Sequence, residues 1–355
     1  DSTSELQFIE EFIPIENINT SLEKKIENRL LVGVVPVYEP IIAKGDVTSQ
    51  ADFIQEADRV RNTLPLGYNG TGVKIGVLSD SYDSKNGAST DIASGDLPND
   101  VSVISRNGVQ QDVTGGSDEG RAMLQLIHDL APEADLTFAT AVTGESEFAA
   151  NIRALADDGA DIIVDDVIYF AEPFFQDGIV ALAVDDVVTN DGVAYFSSAG
   201  NNAAKSYESD DFNGIGDTAI DNILEQDTTL DDALDMVDVN GNEVQGDFVV
   251  SAAGYSYHDF DPDSNSIDHR QGISLNNGQR IRLVMQWDDP FYTVGGVDTD
   301  LDIFLIDSND KVVAYSFNDN VANRTPYEYL DFTNSSGNSQ NYDLVIGKYA
   351  GPDPD

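Results

Sequence analysis

Short apolar segments alternate with amphipathic segments through the middle of the chain. Four segments of strand length are mainly apolar: 73–79, 136–142, 161–168 and 193–198. Three segments between them repeat apolar residues at helical spacing: 118–130, 145–158 and 177–190. Since apolar strands joined by amphipathic helices form parallel sheets covered on both faces, residues 46–205 predict a doubly wound α/β domain. Ligands and substrates of such sheets bind beyond the carboxyl ends of the strands.

A different pattern occupies the remainder of the chain. Residues 206–254 are strongly acidic with few apolar runs, and we expect them to form an acidic linker. In residues 255–355 apolar and polar positions alternate with a period of two, as at Leu301, Ile303 and Leu305. This alternation, broken by turn residues, predicts an antiparallel β-sandwich or jelly-roll domain.

The N-terminal part has weaker patterns. Residues 46–62 space their apolar side chains as a short amphipathic helix, whereas residues 1–45 predict an N-terminal extension or the remnant of a propeptide. The sequence begins at Asp1 without a basic and then apolar leader, so we expect a processed or trimmed chain, or a fragment. No apolar window of about 18 residues exists, so no membrane span is expected.

The charge balance narrows the classes of function. Among 355 residues, 65 are Asp or Glu and 18 are Lys or Arg, which gives a formal net charge of -47. Such a surface repels phosphate backbones, so nucleic acid is not an expected partner, and it offers no basic patch for anionic lipid. We expect a secreted or cell-surface protein, monomeric in solution. The chain has no cysteine, which excludes disulfides and a thiol nucleophile.

Three motifs in the α/β region coincide with one family. Residues 70–81, GTGVKIGVLSDS, form a glycine turn, an apolar strand and Asp80 at its carboxyl end. Residues 196–201, FSSAGN, end a later strand at Asn201, and the strand between them carries Asp166 near its mouth. Each motif alone also fits an ordinary strand and turn. Together and in this order they resemble the aspartate motif, the asparagine motif and the substrate-lining strand of subtilisin-like serine proteases.

The resemblance implies a role for each of these residues. Asp80 would orient the catalytic base, and Asp166 would lie beside the bound peptide substrate. Asn201 would donate its side-chain amide to the oxygen of the tetrahedral intermediate, a contribution of roughly 3–4 kcal/mol to the barrier.

The family's histidine is absent. The helix that should open with His-Gly-Thr opens here with Glu119-Gly120-Arg121, and His128 lies roughly 13 Å further along it at 1.5 Å per residue. In one interpretation Glu119 is the general base, as a glutamate is in the related sedolisin clan. Ser117 would then cap the helix, and Asp80 or Asp166 would share a proton with the base. In the other interpretation the site is degenerate and the domain only binds.

The family's nucleophile is also absent. No Gly-Thr-Ser follows Asn201, and the β-type residues resemble a domain that some large subtilases insert before that motif. We therefore expect an incomplete subtilisin-like sheet, truncated before the serine, that is inactive by itself. The leading hypothesis is a serine endopeptidase acting on protein or peptide substrates in the full-length protein. The alternative is a non-catalytic surface or binding protein with a jelly-roll adhesion or carbohydrate-binding module.

Two acidic loops, 259–263 and 298–302, have the clustered oxygens that Ca²⁺ prefers. Neither matches a defined Ca²⁺ loop, and solvated turns are the favoured interpretation. No cofactor is therefore assigned, and Ca²⁺ is the one that these loops could hold.

Overall fold

The computed structural model describes two compact units. The described residues are 41–42, 51–61, 68–202, 205–226, 236–237, 243–244, 255–261, 266–292 and 296–354. The first unit holds those within Val35–Glu172 and Asp177–Ser206, and the second holds those within Pro173–Gln176 and Tyr207–Asp355. Most of the predicted N-terminal extension lies outside the described residues.

The first unit alternates strands and helices. Its strands are β1 (Ile41–Ile42), β2 (Lys74–Ser79), β3 (Ser102–Val103), β4 (Ser105–Arg106), β5 (Val109–Gln110), β6 (Asp135–Thr140), β7 (Ile162–Asp165), β8 (Val167–Ile168) and β9 (Ala194–Ser197). Its helices are α1 (Ala51–Ile54), α2 (Ala57–Arg61), α3 (Ala88–Ser94), α4 (Glu119–Leu130), α5 (Glu145–Asp157) and α6 (Ile179–Asp186), the last continued by a π turn at Val187–Asp191.

Five of these strands form one parallel sheet. Their order is β3-β6-β2-β7-β9, and every neighbouring pair is parallel. Leu78 of β2 lies opposite Asp165 of β7, and Asp165 lies opposite Ser197 of β9, so three strands end at nearly the same level. The prediction of an α/β domain with a parallel sheet is confirmed.

Helices cover both faces of this sheet. On one face, α5 and α6 bury Leu155 and Ala183 against a cluster that includes Leu78 and Ile163. On the other face, α4 buries Leu124 in a cluster with strand residues such as Val77 and Phe138. The alternation of side chains along each strand separates the two clusters, because successive residues point to opposite faces.

The structure differs from two sequence predictions in this unit. The helix predicted over 46–62 is two short helices, since Glu56 between α1 and α2 has φ = 56° and cannot continue a right-handed helix. The single strand predicted over 161–168 is divided at Asp166 into β7 and β8. After that break the chain leaves the parallel sheet, and β8 pairs antiparallel with β1 instead.

The second unit consists mainly of antiparallel strands. They are β10 (Met236–Val237), β11 (Glu243–Val244), β12 (Ser256–Tyr257), β13 (Gln271–Leu275), β14 (Arg280–Gln286), β15 (Asp300–Asp307), β16 (Val312–Ser316), β17 (Tyr327–Thr333) and β18 (Gln340–Ala350). Two helices accompany them, α7 (Thr218–Gln226) and α8 (Asn320–Asn323).

Two sheets share the core of the second unit. The larger contains β12, β13, β15, β16 and β18, and the smaller contains β14 and β17. Leu305 and Leu330, one from each sheet, belong to one buried cluster. The predicted acidic linker includes α7, whose Ile220 and Leu224 are buried in a second cluster of this unit. Among the described residues, no helix is both long and apolar enough to cross a membrane.

Candidate active site

The residues singled out from the sequence follow strand ends or open a helix in the first unit. Asp80 comes directly after β2, Asp166 directly after β7 and Asn201 four residues after β9, while Glu119 is the first residue of α4. Since β2, β7 and β9 are parallel neighbours, their carboxyl ends meet at one edge of the sheet. This edge is where doubly wound folds bind ligands.

Asp80 is buried and anchors the start of α4. Asp80 is only 4% exposed. Oδ1 accepts the backbone N–H of Ser81 at 2.5 Å and that of Glu119 at 3.0 Å. Oδ2 accepts the hydroxyl of Ser117 at 2.5 Å and also its backbone N–H. The carboxylate is thus fixed to the helix N-terminus, where a negative charge is favoured by the dipole.

These bonds keep Asp80 ionised. Burial, the largest single influence, raises the pKa of Asp80, but the hydroxyl and N–H of Ser117 and the N–H groups of Ser81 and Glu119 together outweigh it, so the pKa lies below its ordinary value. Because the pKa of Asp80 is lowered, its carboxylate is a poor site for the proton that the sequence analysis expected it to share with Glu119. The contact that joins them is between the carboxylate and the backbone N–H of Glu119.

A second acid, Asp118, holds the turn that precedes α4. It has φ = 64°, in the left-handed region, and is 5% exposed. Its carboxylate accepts the Ser81 hydroxyl and the Lys85 N–H, each at 2.9 Å, and pairs with the Arg121 guanidinium. Arg121 also pairs with Asp91 at 2.8 Å, which ties the turn to α3. The turn is therefore fixed by charge-assisted bonds that the sequence motif did not reveal.

A glycine brings the start of α4 against the sheet. A Cβ atom at Gly120 would lie 2.3 Å from the ring of Phe138 in β6 and 3.0 Å from the carbonyl oxygen of Ser81. Only glycine allows this approach, and Glu119 is thereby held at the sheet edge. Ser117, which the sequence predicted as the helix cap, donates its hydroxyl to Asp80 instead, and the N-cap position belongs to Asp118.

Asp166 and Ser79 form a polar pair next to Asp80. Ser79 is fully buried, and its hydroxyl donates a hydrogen bond to the Asp166 carboxyl. Burial raises the pKa of Asp166 to about 6; the nearby Ser79 hydroxyl lowers it, and the charges of Asp165 and Asp80 raise it further. The pKa of Asp166 is thus well above that of an ordinary aspartate.

Asp165 was not singled out from the sequence. It is 3% exposed, and its Oδ1 accepts the Ser197 hydroxyl at 2.9 Å and the Val167 N–H at 3.2 Å. Burial raises its pKa, although hydrogen bonds from Tyr195 and Ser197 act in the opposite direction. The sequence signal was the pair Asp165–Asp166 at the end of an apolar strand. Successive side chains of a strand point to opposite faces, so one acid of such a pair is directed to each face of the sheet.

Asn201 follows the outer strand β9 of this edge. It follows Gly200, which has φ = 70°, and its side chain is exposed beyond β9. One strand, β7, separates β9 from β2, so the axes of β2 and β9 are about 10 Å apart. The structure therefore places Asp80 and Asp166 at the ends of neighbouring strands and bonds the backbone N–H of Glu119 to Asp80, whereas Asn201 follows the outer strand of the same edge.

The histidines lie elsewhere. His128 is in the last turn of α4, at the opposite end from Glu119. His258 and His269 are buried in the second unit, where their Nδ1 atoms lie 2.6 Å and 3.1 Å from the carbonyl oxygens of Phe212 and His258.

An extended backbone pairs with the two residues that follow Asp166. Ile41 pairs with Ile168 and Ile42 with Val167, in antiparallel register. β8 therefore accepts an added strand at the position that follows Asp166.

The acidic loops considered for Ca²⁺ are engaged in internal bonds. Asp259 accepts the N–H groups of Asp261 and Asp268, whereas residues 262–263 lie outside the described part. Asp302 accepts the hydroxyl of Tyr255, and Asp300 accepts the N–H of Asn320. Within the part of the chain that the structure describes, no group of three or more His, Cys, Asp or Glu side chains could hold a metal ion.

No protein-family model matches this chain, and no curated protein matches it in sequence.

Proposed function

We propose that the first unit carries the acid residues of a subtilisin-type serine endopeptidase, and that Glu119 is its general base. The observation that carries the proposal is the fixed contact between the Asp80 carboxylate and the N-terminus of the helix that begins at Glu119. This contact lies at the carboxyl edge of a parallel sheet, where doubly wound folds bind their ligands.

Each of the three residues has a separate role in the proposed mechanism. Glu119 accepts the proton of a serine hydroxyl as it attacks the peptide carbonyl, and returns it to the leaving amine. Asp80 stays ionised and holds the helix start in place. The amide of Asn201 donates to the oxygen that becomes negative.

The nucleophile of this proposal comes from outside the 355 residues, which contain no Gly-Thr-Ser after Asn201. The sheet has room for a helix that would present it. Phe196 in β9 is 59% exposed, and Val164, its partner in β7, is only partly buried in the cluster beneath α4. Parallel sheets are normally covered on both faces, so this open region next to Asp166 fits an added helix.

The pairing of β1 with β8 supports a peptide substrate. An extended chain adds to β8 through backbone bonds that do not depend on sequence, and its direction leads toward Asp166 and Asp80. Secretion or cell-surface location, a monomeric state and the absence of nucleic-acid partners belong to the same proposal.

One observation favours a second candidate, a non-catalytic binding protein. The Asp80 carboxylate already accepts bonds from Ser81, Ser117 and Glu119, as a purely structural anchor would. In that case the two antiparallel sheets of the second unit would form the jelly-roll module that binds the partner.

Fluorophosphonate labelling of the complete gene product distinguishes the two candidates. We expect one serine to be labelled, and we expect Glu119→Gln to slow labelling by at least about 100-fold, the lower range for a lost general base. Glu133→Gln is the matched control, because Glu133 is exposed just beyond α4. A complete gene product without any reactive serine would contradict the peptidase proposal.

A further inference from the structure

His258 binds both ends of a short segment of the second unit, residues 207–212. It follows β12, is 3% exposed, and donates its backbone N–H to the Ile346 carbonyl of β18 at 3.0 Å. Its Nδ1 lies 2.6 Å from the carbonyl oxygen of Phe212, and its Nε2 lies 2.9 Å from the hydroxyl oxygen of Tyr207. One imidazole, fixed to the sheet, therefore holds the segment at its first and last residues.

The two contacts together are those of a neutral ring. A carbonyl oxygen only accepts hydrogen bonds, so Nδ1 carries the proton and donates it to Phe212. In the neutral ring Nε2 is then an acceptor, and the hydroxyl of Tyr207 donates to it. A second proton on His258 occupies Nε2, and the Tyr207 hydroxyl can then no longer donate to this atom.

Aromatic rings surround the imidazole of His258. The ring of Phe260 stands perpendicular to it with the centroids 4.8 Å apart, and the rings of Phe212 and Tyr207 lie at 5.6 Å and 5.7 Å. None of the ion pairs among the described residues includes His258. A positive charge on this ring would therefore be buried without a bonded carboxylate, which is costly.

The titratable groups around His258 come from its own loop, from residues 207–212, from β18 and from the chain beyond β18. They are Asp259, His269, Tyr207, Asp211, Lys348 and Asp353. Burial, the largest influence, lowers the pKa of His258, and His269 acts in the same direction. The carbonyl that the ring bonds and the two aspartates raise the pKa, but burial outweighs them. The ring is therefore neutral while the segment is docked.

We propose that residues 207–212 are a strap that protonation of His258 releases from the second unit. A proton from solvent binds Nε2, breaks the bond from the Tyr207 hydroxyl and places a charge among the aromatic rings. Release of the strap exposes the charged ring to water. This switch goes beyond the proposed peptidase activity and does not depend on it.

The strap and the buried acids of the same unit respond to acid in opposite directions. An imidazole in water titrates near pH 6.5, so below about pH 6.5 the open strap binds a proton that the docked strap does not. Docking is therefore strongest above this pH and weakens as the pH falls. Glu328 and Asp300 have raised pKa values, so their contribution to stability increases in acid. Release of the strap is thus distinguishable from a general loss of stability.

Hydrogen exchange of the whole chain, followed by NMR and corrected for the intrinsic rate at each pH, tests the strap. The reporter is the Phe212 amide, which donates to the Pro354 carbonyl at 3.4 Å, and the reference is the Leu305 amide in β15, between β16 and β18. We expect the protection of Phe212, relative to that of Leu305, to fall by at least about threefold between about pH 7 and about pH 5. The ring nitrogen shifts of His258 should change over the same interval.

Variants assign the effect to one ring. The side chain of His258→Gln does not titrate, so the protection of Phe212 relative to Leu305 should no longer depend on pH. Tyr207→Phe removes one bond to the ring and should lower the protection of Phe212 roughly 2- to 10-fold already at about pH 7. His128→Gln, in the last turn of α4 in the first unit, is the control and should keep the pH dependence.

A relative protection of Phe212 that stays constant from about pH 7 to about pH 5 overturns the strap, as does a fall that persists in folded His258→Gln. If that variant does not fold, the unsubstituted chain decides. Ring shifts of His258 that change over a different pH interval from the protection of Phe212 then overturn the proposal. Peptide cleavage by the complete gene product, or its absence, leaves this result unchanged, so the two proposals fail separately.

Discussion

The backbone N–H of Glu119 donates a 3.0 Å hydrogen bond to Oδ1 of Asp80. This bond joins the first residue of a helix to the end of a central strand. Asp80 accepts this bond together with those from Ser81 and Ser117, and these donors hold its pKa below the ordinary value.

Removal of the Ser117 hydroxyl should weaken the anchor. Ser117→Ala eliminates the 2.5 Å bond to Asp80, while the burial that raises the pKa of Asp80 persists. We expect the pKa of Asp80 to rise in ¹³C NMR titrations and the free energy of unfolding to fall by about 1–2 kcal/mol. Ser146→Ala, at an exposed position in α5, is the control, and an unchanged pKa of Asp80 would refute the assigned bond.

A methyl group at Gly120 should displace the start of α4. The Cβ atom of Gly120→Ala would lie 2.3 Å from the Phe138 ring, well inside van der Waals contact. We expect a loss of about 1–3 kcal/mol in chemical unfolding, the usual cost of overpacking. Gly272→Ala, whose Cβ would meet no atom within 4 Å, should cost less. Equal stability of the two variants would show that α4 does not approach the sheet this closely.

The second unit should become less stable as the pH rises. Burial raises the pKa of Glu328 to about 7, although bonds from Ser316, Asn320 and Asn318 lower it, and burial raises that of Asp300 to about 6. Carboxyls of the unfolded chain titrate near pH 4, so between about pH 4 and pH 7 the folded unit keeps protons that the unfolded chain has released. The buried acids therefore lower the free energy of unfolding as the pH rises across this window.

Fluorescence of Trp287, the single tryptophan and a buried residue of this unit, reports the transition in urea. Glu328→Gln should flatten the pH dependence because its amide does not titrate. Asp210→Asn, at an exposed position, should preserve it. Stability that increases between about pH 5 and pH 8 would contradict the buried acid.

The sequence was sufficient for the parallel sheet because its strands are apolar on both faces. An acid directly after such a strand, as at Asp80 and Asp166, was also readable, since the carboxyl ends of parallel strands share one edge. The sequence also showed that the helix α4 begins with Glu119 at the position where the family motif has a histidine.

The remaining features depend on contacts between distant parts of the chain. Ser117 looked like a helix cap, and only the fold brings its hydroxyl to Asp80, 37 positions earlier. The break at Glu56 arises from one left-handed residue, which a pattern of apolar spacing does not reveal. Strands of two residues, such as β1 and β8, are too short for any periodicity to indicate.

The central claim is that Glu119 serves as a general base held in place by Asp80. The most direct measurement is hydrolysis of an unfolded protein substrate by the complete gene product, with Glu119→Gln and Glu133→Gln assayed beside it. We predict that the rate falls by at least about 100-fold in Glu119→Gln and stays unchanged in Glu133→Gln. Hydrolysis by Glu119→Gln at the rate of the unsubstituted protein would contradict the account.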